Sequence, residues 1–503
     1  YGQNLVAAES LTALGIPAVA WSYAPENLKP TADLELANGL NRFVIHCSPH
    51  QPVDDKIPGL GLGPFGQWFT RHETWAEEAK AWTAYLSRSS YLLQQGKFVA
   101  DVLYYYGEDN NITNLFGKKL PAIPAGYNYD FINADALIHL LAVKDGRLIT
   151  PSGMSYRVLV LDSNAVRMSL PVLKKINELV KAGANITGIK PVTTLGLSDE
   201  RNEFDRLVKE TWSPSHTNVA EGKPLIDLLN ALNVPPDFTY SKPQSNTKLL
   251  YVHRKTSDRD IYWVNNRNDR VEEVEANFRV AGKIPLLWMA TTGKTEPVSY
   301  TIANGVTRLK LHMEPHDAFF VVFKDKASKI AVELPQVKTS ELATIDGPWN
   351  VSFQPHRGAP VSAVFDKLVS YTDNADAGIK YFSGTATYTK TIKADATWLG
   401  KGNELWLDLG DVKNIAEVFV NGKSLGIIWK HPFRMEITNV LKAGENRIDI
   451  KVTNLWVNRI IGDAQPNTTN KITYTTMPFY QAGSKLLPSG LLGPVKIISV
   501  NRK

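Results

Sequence analysis

The rhythm of apolar residues changes once along this chain, near residue 223, and that change limits the fold more than any motif. Upstream, short apolar runs alternate with segments of helical period, the pattern of strands separated by helices. Downstream, Lys248–His253, Asp260–Asn265, Val298–Ile302, Thr307–His312 and Ala318–Phe323 alternate with polar turns, as in a small β-sandwich. At 503 residues the chain also exceeds what one hydrophobic core organises. Several domains are expected, α/β first and all-β afterwards.

The α/β part has two sections. In residues 1–106, Leu5–Ala8, Arg42–Cys47 and Phe98–Tyr105 read as buried strands. A long helix over Trp75–Gln95 lies between the last two, with Thr74 and Glu77 at capping-box spacing and Gly96 at its stop. This order fits a β/α barrel or a doubly wound sheet, and three strands leave an eight-stranded barrel incomplete. In residues 107–222, the strands Tyr156–Leu161 and Asn185–Ile189 flank an amphipathic helix, Leu170–Lys181, that ends at Gly183. No GxGxxG or GxxxxGKS/T motif accompanies them, so an accessory structural domain is expected rather than a nucleotide site. After the first sandwich comes a linker, Lys324–Ser340. A last all-β unit has strands at Gly384–Thr391, Glu404–Leu409, Ala416–Val420 and Asn446–Thr453. Asn421-Gly422 is a two-residue hairpin signal within it.

Lys and Arg number 56 against 50 Asp and Glu and are scattered, so nucleic acid has no electrostatic footprint here. No apolar run approaches the ~20 residues that span a bilayer. The single cysteine, Cys47, excludes an intrachain disulfide and a multi-cysteine metal site, and its apolar setting suits an inert thiol. The chain enters its first apolar run directly after Tyr1-Gly2-Gln3-Asn4, without initiator Met or signal peptide, and so reads as a fragment or processed chain.

Glu9 is the sharpest candidate for chemistry. It follows the first apolar run, and catalytic groups gather at the C-terminal ends of barrel strands. An ion pair closing the barrel end is the structural alternative. The second strand leads into His46 and His50, placed to hydrogen-bond sugar hydroxyls or to act as a base, on a segment that is not helical and so does not suit zinc. The loop Pro58–Gly66 is glycine-rich but runs into Trp68-Phe69, which suits a sugar-pocket wall rather than a phosphate cradle. Arg71 is a candidate for holding substrate, and Trp68 and Trp75 are candidate apolar walls. Glu73 suits the N-terminus of the following helix, and Glu108 and Asp109 suit a polar loop. Glycoside hydrolysis usually needs two carboxyl groups, and the chain offers one good candidate.

Taken in order, Leu5–Thr12, Gly39–His46, His50-Gln51-Pro52, Pro58-Gly59, Gly63–Gly66 and Thr74-Trp75 resemble family 106 glycoside hydrolases. Further on, Gly347-Pro348-Trp349, Tyr381–Tyr388, Asp408-Leu409-Gly410, Val418–Lys423 and Pro488–Val495 are similar to the galactose-binding-like sandwich of many glycosidases. The resemblance implies a multidomain α/β plus all-β fold. Its parts are the C-terminal part of a (β/α)8 catalytic barrel (1–106), an α/β accessory domain (107–222), a β-sandwich with linker (223–340) and a galactose-binding-like β-sandwich or jelly roll (341–503). The implied activity is inverting acid/base removal of terminal α-L-rhamnose from plant polysaccharides or glycosides. Glu9 matches a strand-end glutamate that serves as base, and the acid is expected before Tyr1. His46, His50, Arg71, Trp68 and Trp75 are then substrate-binding, and a calcium ion is implied without assignable ligands. A rhamnose-containing glycan is the implied partner, and a periplasmic or secreted location goes with it. Two other readings stand beside this one: a β-galactosidase- or β-glucuronidase-like glycosidase, and a non-catalytic carbohydrate-binding fragment.

Overall fold

The computed structural model describes residues 3–14, 19–65, 67–109, 121–197, 199–400 and 402–502. Tyr1, Gly2 and Gly66, which belong to the sequence motifs above, lie outside them.

The chain opens with a strand–helix–strand unit. Strand β1 (Ala7–Ser10) and strand β2 (Arg42–Ile45) pair in parallel, Glu9 opposite Val44, and helix α1 (Pro25–Ala37) lies between them in sequence. β1 is not the buried strand expected from its apolar residues: Leu5, Val6, Ala7, Ala8 and Glu9 are all exposed. Among the described residues its sheet has only two strands, so one edge of β1 is unpaired.

Phe98–Tyr105 divides in two, contrary to its reading as a third strand beside β1 and β2. Lys97–Phe98 pairs antiparallel with Arg254–Lys255 at the edge of the first sandwich. Gly96 permits that approach, since a Cβ there would lie 2.1 Å from the Lys255 carbonyl oxygen. Val102–Tyr105 instead forms the fourth strand of a five-stranded parallel sheet, ordered 219–221, 185–188, 158–161, 102–105 and 129–132. All four of its residues are buried, as a near-continuous apolar run in a parallel sheet requires. The break falls at Asp101, whose buried carboxylate pairs with Arg279 at 2.8 Å. Helix Leu170–Lys181 covers this sheet with Leu173, Ile176 and Leu179.

The first sandwich stacks two antiparallel sheets. In one, Glu272–Phe278 and Val306–Met313 alternate strictly, sending Val274, Ala276, Leu309 and Leu311 inward. In the other, the central strand Asp260–Asn266 is buried on both faces because helix α1 and helix α2 (Ala79–Leu93) pack on its outer side. A charged group ties that contact. Lys29 of α1 is buried and donates to Asp33 at 2.5 Å and to the His316 carbonyl at 2.7 Å. Asn265 donates to the same Asp33 carboxylate at 3.1 Å, and the Tyr85 hydroxyl donates to its other oxygen. Burial lowers the Lys29 pKa, and Asp33 opposes that effect.

The expected linker does not stay a linker. Ala318–Lys326 and Ala331–Val332 belong to the first sandwich, and Val337–Thr344 already pairs with Lys496–Arg502 in the last one. That last unit has a four-stranded and a six-stranded sheet around Trp349, Val351, Tyr388, Leu407, Val418 and Ile450. Its Asn421-Gly422 turn has positive φ at both residues, 52° and 80°, as the hairpin signal requires.

Candidate active site

The C-terminal ends of β1 and β2 lie side by side, joined by the His46 amide donating to the Ser10 carbonyl at 3.1 Å. Glu9 therefore stands next to the segment that carries His46 and Cys47. Its side chain is exposed, and the Thr12 hydroxyl donates to one carboxylate oxygen at 3.3 Å. No cation pairs with it among the described residues, so the ion-pair alternative finds no support in this geometry. Cys47 is half-buried, and burial, then the neighbouring Glu9 charge, push its thiol pKa up, away from thiolate chemistry.

Beyond β2 the chain folds back on itself through polar contacts. Gln51 is buried and clasps Leu60 in both directions, its amide donating at 2.8 Å and its oxygen accepting at 2.9 Å. Gly59 sits against it: a Cβ would lie 2.1 Å from Gln51 Oε1, so only glycine fits. The Phe69 amide donates to the Cys47 carbonyl at 2.9 Å, bringing the following turn alongside. There Arg71 donates to the Gln51 carbonyl at 2.9 Å and to Asp54 at 2.8 Å, and His72 Nε2 lies 3.2 Å from the same Asp54 oxygen. Bonds from Arg71 and His72 hold the Asp54 carboxyl below the usual range. Arg71 keeps about half of its side chain exposed, at 53%. His50 is exposed, whereas His46 is half-buried and its Nδ1 is a buried atom with no hydrogen-bond partner.

Trp68 and Trp75 are not walls of an open cleft. Trp68 is 1% exposed, donates to the Phe65 carbonyl and packs edge-on against Trp21 and beside Phe479. Trp75 is 2% exposed and meets Phe69 and Trp82, seven residues on along the chain. Exposed apolar groups at this end include Leu14, Leu62 and Phe65, and Leu14 forms an isolated bridge with Phe65 that brings the loop after β1 against the glycine-rich loop. Phe65 was visible in sequence as an aromatic residue in a glycine-rich loop.

Glu73 is the residue that sequence reasoning placed least well. It does not serve a helix N-terminus, because α2 begins only at Ala79 and Thr74 forms no capping box with Glu77. The Glu73 carboxyl is buried, where it accepts from Gln67 at 2.9 Å and from the Thr74 amide at 3.1 Å. Burial, opposed by those bonds, pushes its pKa up to about 8, so it is largely protonated at neutral pH.

The last sandwich also reaches this end of the molecule. The Trp456 indole donates to the His72 carbonyl at 2.7 Å, the Tyr480 hydroxyl donates to Ala20, and Tyr474–Thr475 pairs with Pro58–Gly59. Among the described residues no three His, Cys, Asp or Glu side chains converge as a metal site.

Comparison with known proteins agrees with the motif resemblance. A family model described as α-L-rhamnosidase matches residues 1–302, and the sugar-binding domain of glycosyl hydrolase family 2 matches residues 324–475. A rhamnosidase from Novosphingobium sp. PP1Y superposes with a TM-score of 0.94 and 43% identity, over 99% of this chain and 48% of that one. A curated relative from Formosa agariphila, provisionally named a β-glucuronidase, is 27% identical over 99% of this chain and 63% of its own length. A Ruminococcus gnavus β-glucuronidase overlaps with a TM-score of 0.23 and 21% identity, over 33% of this chain and 29% of that one. The chain thus spans about half the length of the solved rhamnosidase and 63% of the curated relative. It belongs to glycoside hydrolase family 106, the α-L-rhamnosidase family.

Proposed function

We propose that this chain is the C-terminal part of an inverting glycosidase that removes terminal α-L-rhamnose from plant polysaccharides or glycosides, with Glu9 as the general base. The observation that carries the reading is the placement of Glu9: an exposed carboxylate at the C-terminal end of a strand in parallel pairing, where a β/α barrel assembles its chemistry. β1, α1 and β2 are then read as the closing units of a (β/α)8 barrel. In an inverting reaction the base removes a proton from a water molecule, which attacks the anomeric carbon as the leaving oxygen takes a proton from the acid. Glu9 suits the first role. It is open to water, carries no cationic partner among the described residues, and is oriented through one oxygen by Thr12.

Substrate hydroxyls are assigned to His46, His50 and Arg71. Asp54 and the Gln51 carbonyl hold the Arg71 guanidinium while leaving part of it open, which fixes a donor without spending all its bonds. The apolar wall passes from Trp68 and Trp75 to Phe65, Leu62 and Leu14, which are exposed at that end. No step is assigned to calcium. The acid is sought upstream of Tyr1, and a periplasmic or extracellular location belongs to the same proposal.

The test is release of an aryl α-L-rhamnoside by the parent enzyme and by its Glu9→Gln variant. A fall in kcat of about a thousandfold, in the range of lost acid–base catalysis, is expected. Near-normal turnover removes Glu9 from the reaction, and cleavage of β-glucuronides with retained configuration replaces the rhamnoside assignment.

A further inference from the structure

A cavity of about 470 Å³ lies at the junction of the parallel α/β sheet and the first sandwich, outside the residues assigned to the strand-end site. Lys97 and Asp101 line it from the crossing between the two units, and Arg147 and Arg157 from the small antiparallel sheet and its exit. Asp237, His253, Lys255, Asp260 and Arg279 line it from the sandwich side.

The three carboxylates of this cavity are already matched. Asp101 pairs with Arg279 at 2.8 Å, and Asp237 with His253 at 3.0 Å and Arg279 at 3.4 Å. Asp260 pairs with Lys283 at 2.8 Å, His253 at 3.3 Å and Lys255 at 3.6 Å. Lys97, Arg147 and Arg157 line the same walls and pair with no carboxylate among the described residues. Arg147 is half-buried and donates from Nε to the Ser155 hydroxyl at 2.5 Å. Burial, then the nearby Arg157 charge, lower its pKa, and the Asp101 charge only partly opposes them. Cationic side chains that outnumber the carboxylates beside them are what a bound oxyanion relieves, and planar guanidinium forks match carboxylate and sulfate geometry.

We propose that this junction cavity is a second glycan site that binds an anionic group, the carboxylate of a uronic acid or a sulfate ester, through Arg147 and Arg157. Arg279 stands behind them, held by Asp101 and Asp237. The cavity volume falls within the usual range for small-molecule pockets, and the junction of two domains is a common place for one. The sugar part of the proposal rests on the glycosidase reading, and the anion part rests on the cavity alone.

The experiment is calorimetric titration of the 503-residue chain with D-glucuronate, D-glucose 6-sulfate, D-glucose and inorganic sulfate at constant ionic strength. It is repeated on Arg147→Gln/Arg157→Gln, whose fold is checked by circular dichroism. An anionic sugar is expected to bind and glucose not to, with affinity falling about tenfold for each guanidinium removed. Tighter glucuronate assigns the carboxylate source, and tighter 6-sulfate assigns the ester. Inorganic sulfate binding as tightly as either sugar means an adventitious ion only and overturns the proposal. Absent binding at millimolar sugar, or unchanged affinity in the double variant, overturns it too. If the double variant misfolds, Lys97→Gln at the exposed rim carries the same comparison. Because the readout is binding, it is independent of whether the parent enzyme cleaves rhamnosides.

Discussion

The end of β1 and the His253 network are both rich in ionisable groups, yet they are built in opposite ways. At the strand end, Glu9 is exposed with a single hydroxyl partner, and His46 keeps an unpartnered nitrogen. In the network, His253 lies between Asp237 and Asp260, and the Tyr262 hydroxyl donates to Asp237 at 2.9 Å. Burial works against ionisation of Asp237, yet His253 and Arg279 hold its carboxyl below the ordinary range; burial also works against a charged His253, yet the two aspartates raise it. Groups left open are available to a ligand, whereas groups matched in the interior keep two domains in register. The contrast separates chemistry from architecture more sharply than residue type does.

The largest effect that tests the contrast is on turnover. Glu9→Gln should cost about a thousandfold in kcat of the parent enzyme while leaving the unfolding free energy within about 0.5 kcal/mol of wild type. A large loss of stability would place Glu9 on the architectural side. Asp237→Asn should do the reverse. Removing one partner of a buried, hydrogen-bonded charge network costs about 3–5 kcal/mol, read by urea denaturation, with catalysis unchanged in the folded fraction.

Trp68→Ala should resemble Asp237→Asn, losing about 3–5 kcal/mol because Trp21 and Phe479 would face a cavity. A change in KM at unaltered stability would return Trp68 to the substrate wall. The last effect is pH-dependent. The folded pKa of Glu73, about 8, lies above the ordinary 4.5, so its contribution is fully present below pH 4.5 and is lost as pH rises through 8. Wild type should therefore lose on the order of 4 kcal/mol more than Glu73→Gln between pH 4.5 and 9, measured by urea denaturation at each pH. Parallel pH profiles would mean that the carboxyl is not held neutral.

Local signals were legible wherever neighbouring residues set the structure. Helix Leu170–Lys181 occupies the expected bounds, because its apolar stripe and the Gly183 stop are sequence-local. The Asn421-Gly422 turn is equally local. Misreadings arose where partners distant in the chain decide. Phe98–Tyr105 is one apolar run, but Asp101 meets Arg279 and Lys97–Phe98 meets Arg254–Lys255, so the run serves two sheets. Thr74 and Glu77 have capping-box spacing, but the buried Glu73 carboxyl takes the Thr74 amide. Trp75 and Trp82 stand seven residues apart, a spacing of apolar residues that favours core packing, and their rings meet in the interior.

The amino-acid order by itself determined the division into α/β and all-β parts, the prominence of Glu9 and the family resemblance, because periodicity, turn chemistry and linear motifs act over a few residues. Tertiary structure alone decided which aromatic side chains are exposed, that Glu73 is buried and proton-bearing, and that Arg147, Arg157 and Arg279 share a cavity. Burial and charge pairing depend on side chains brought together from hundreds of residues apart, and no local pattern records which of them will meet.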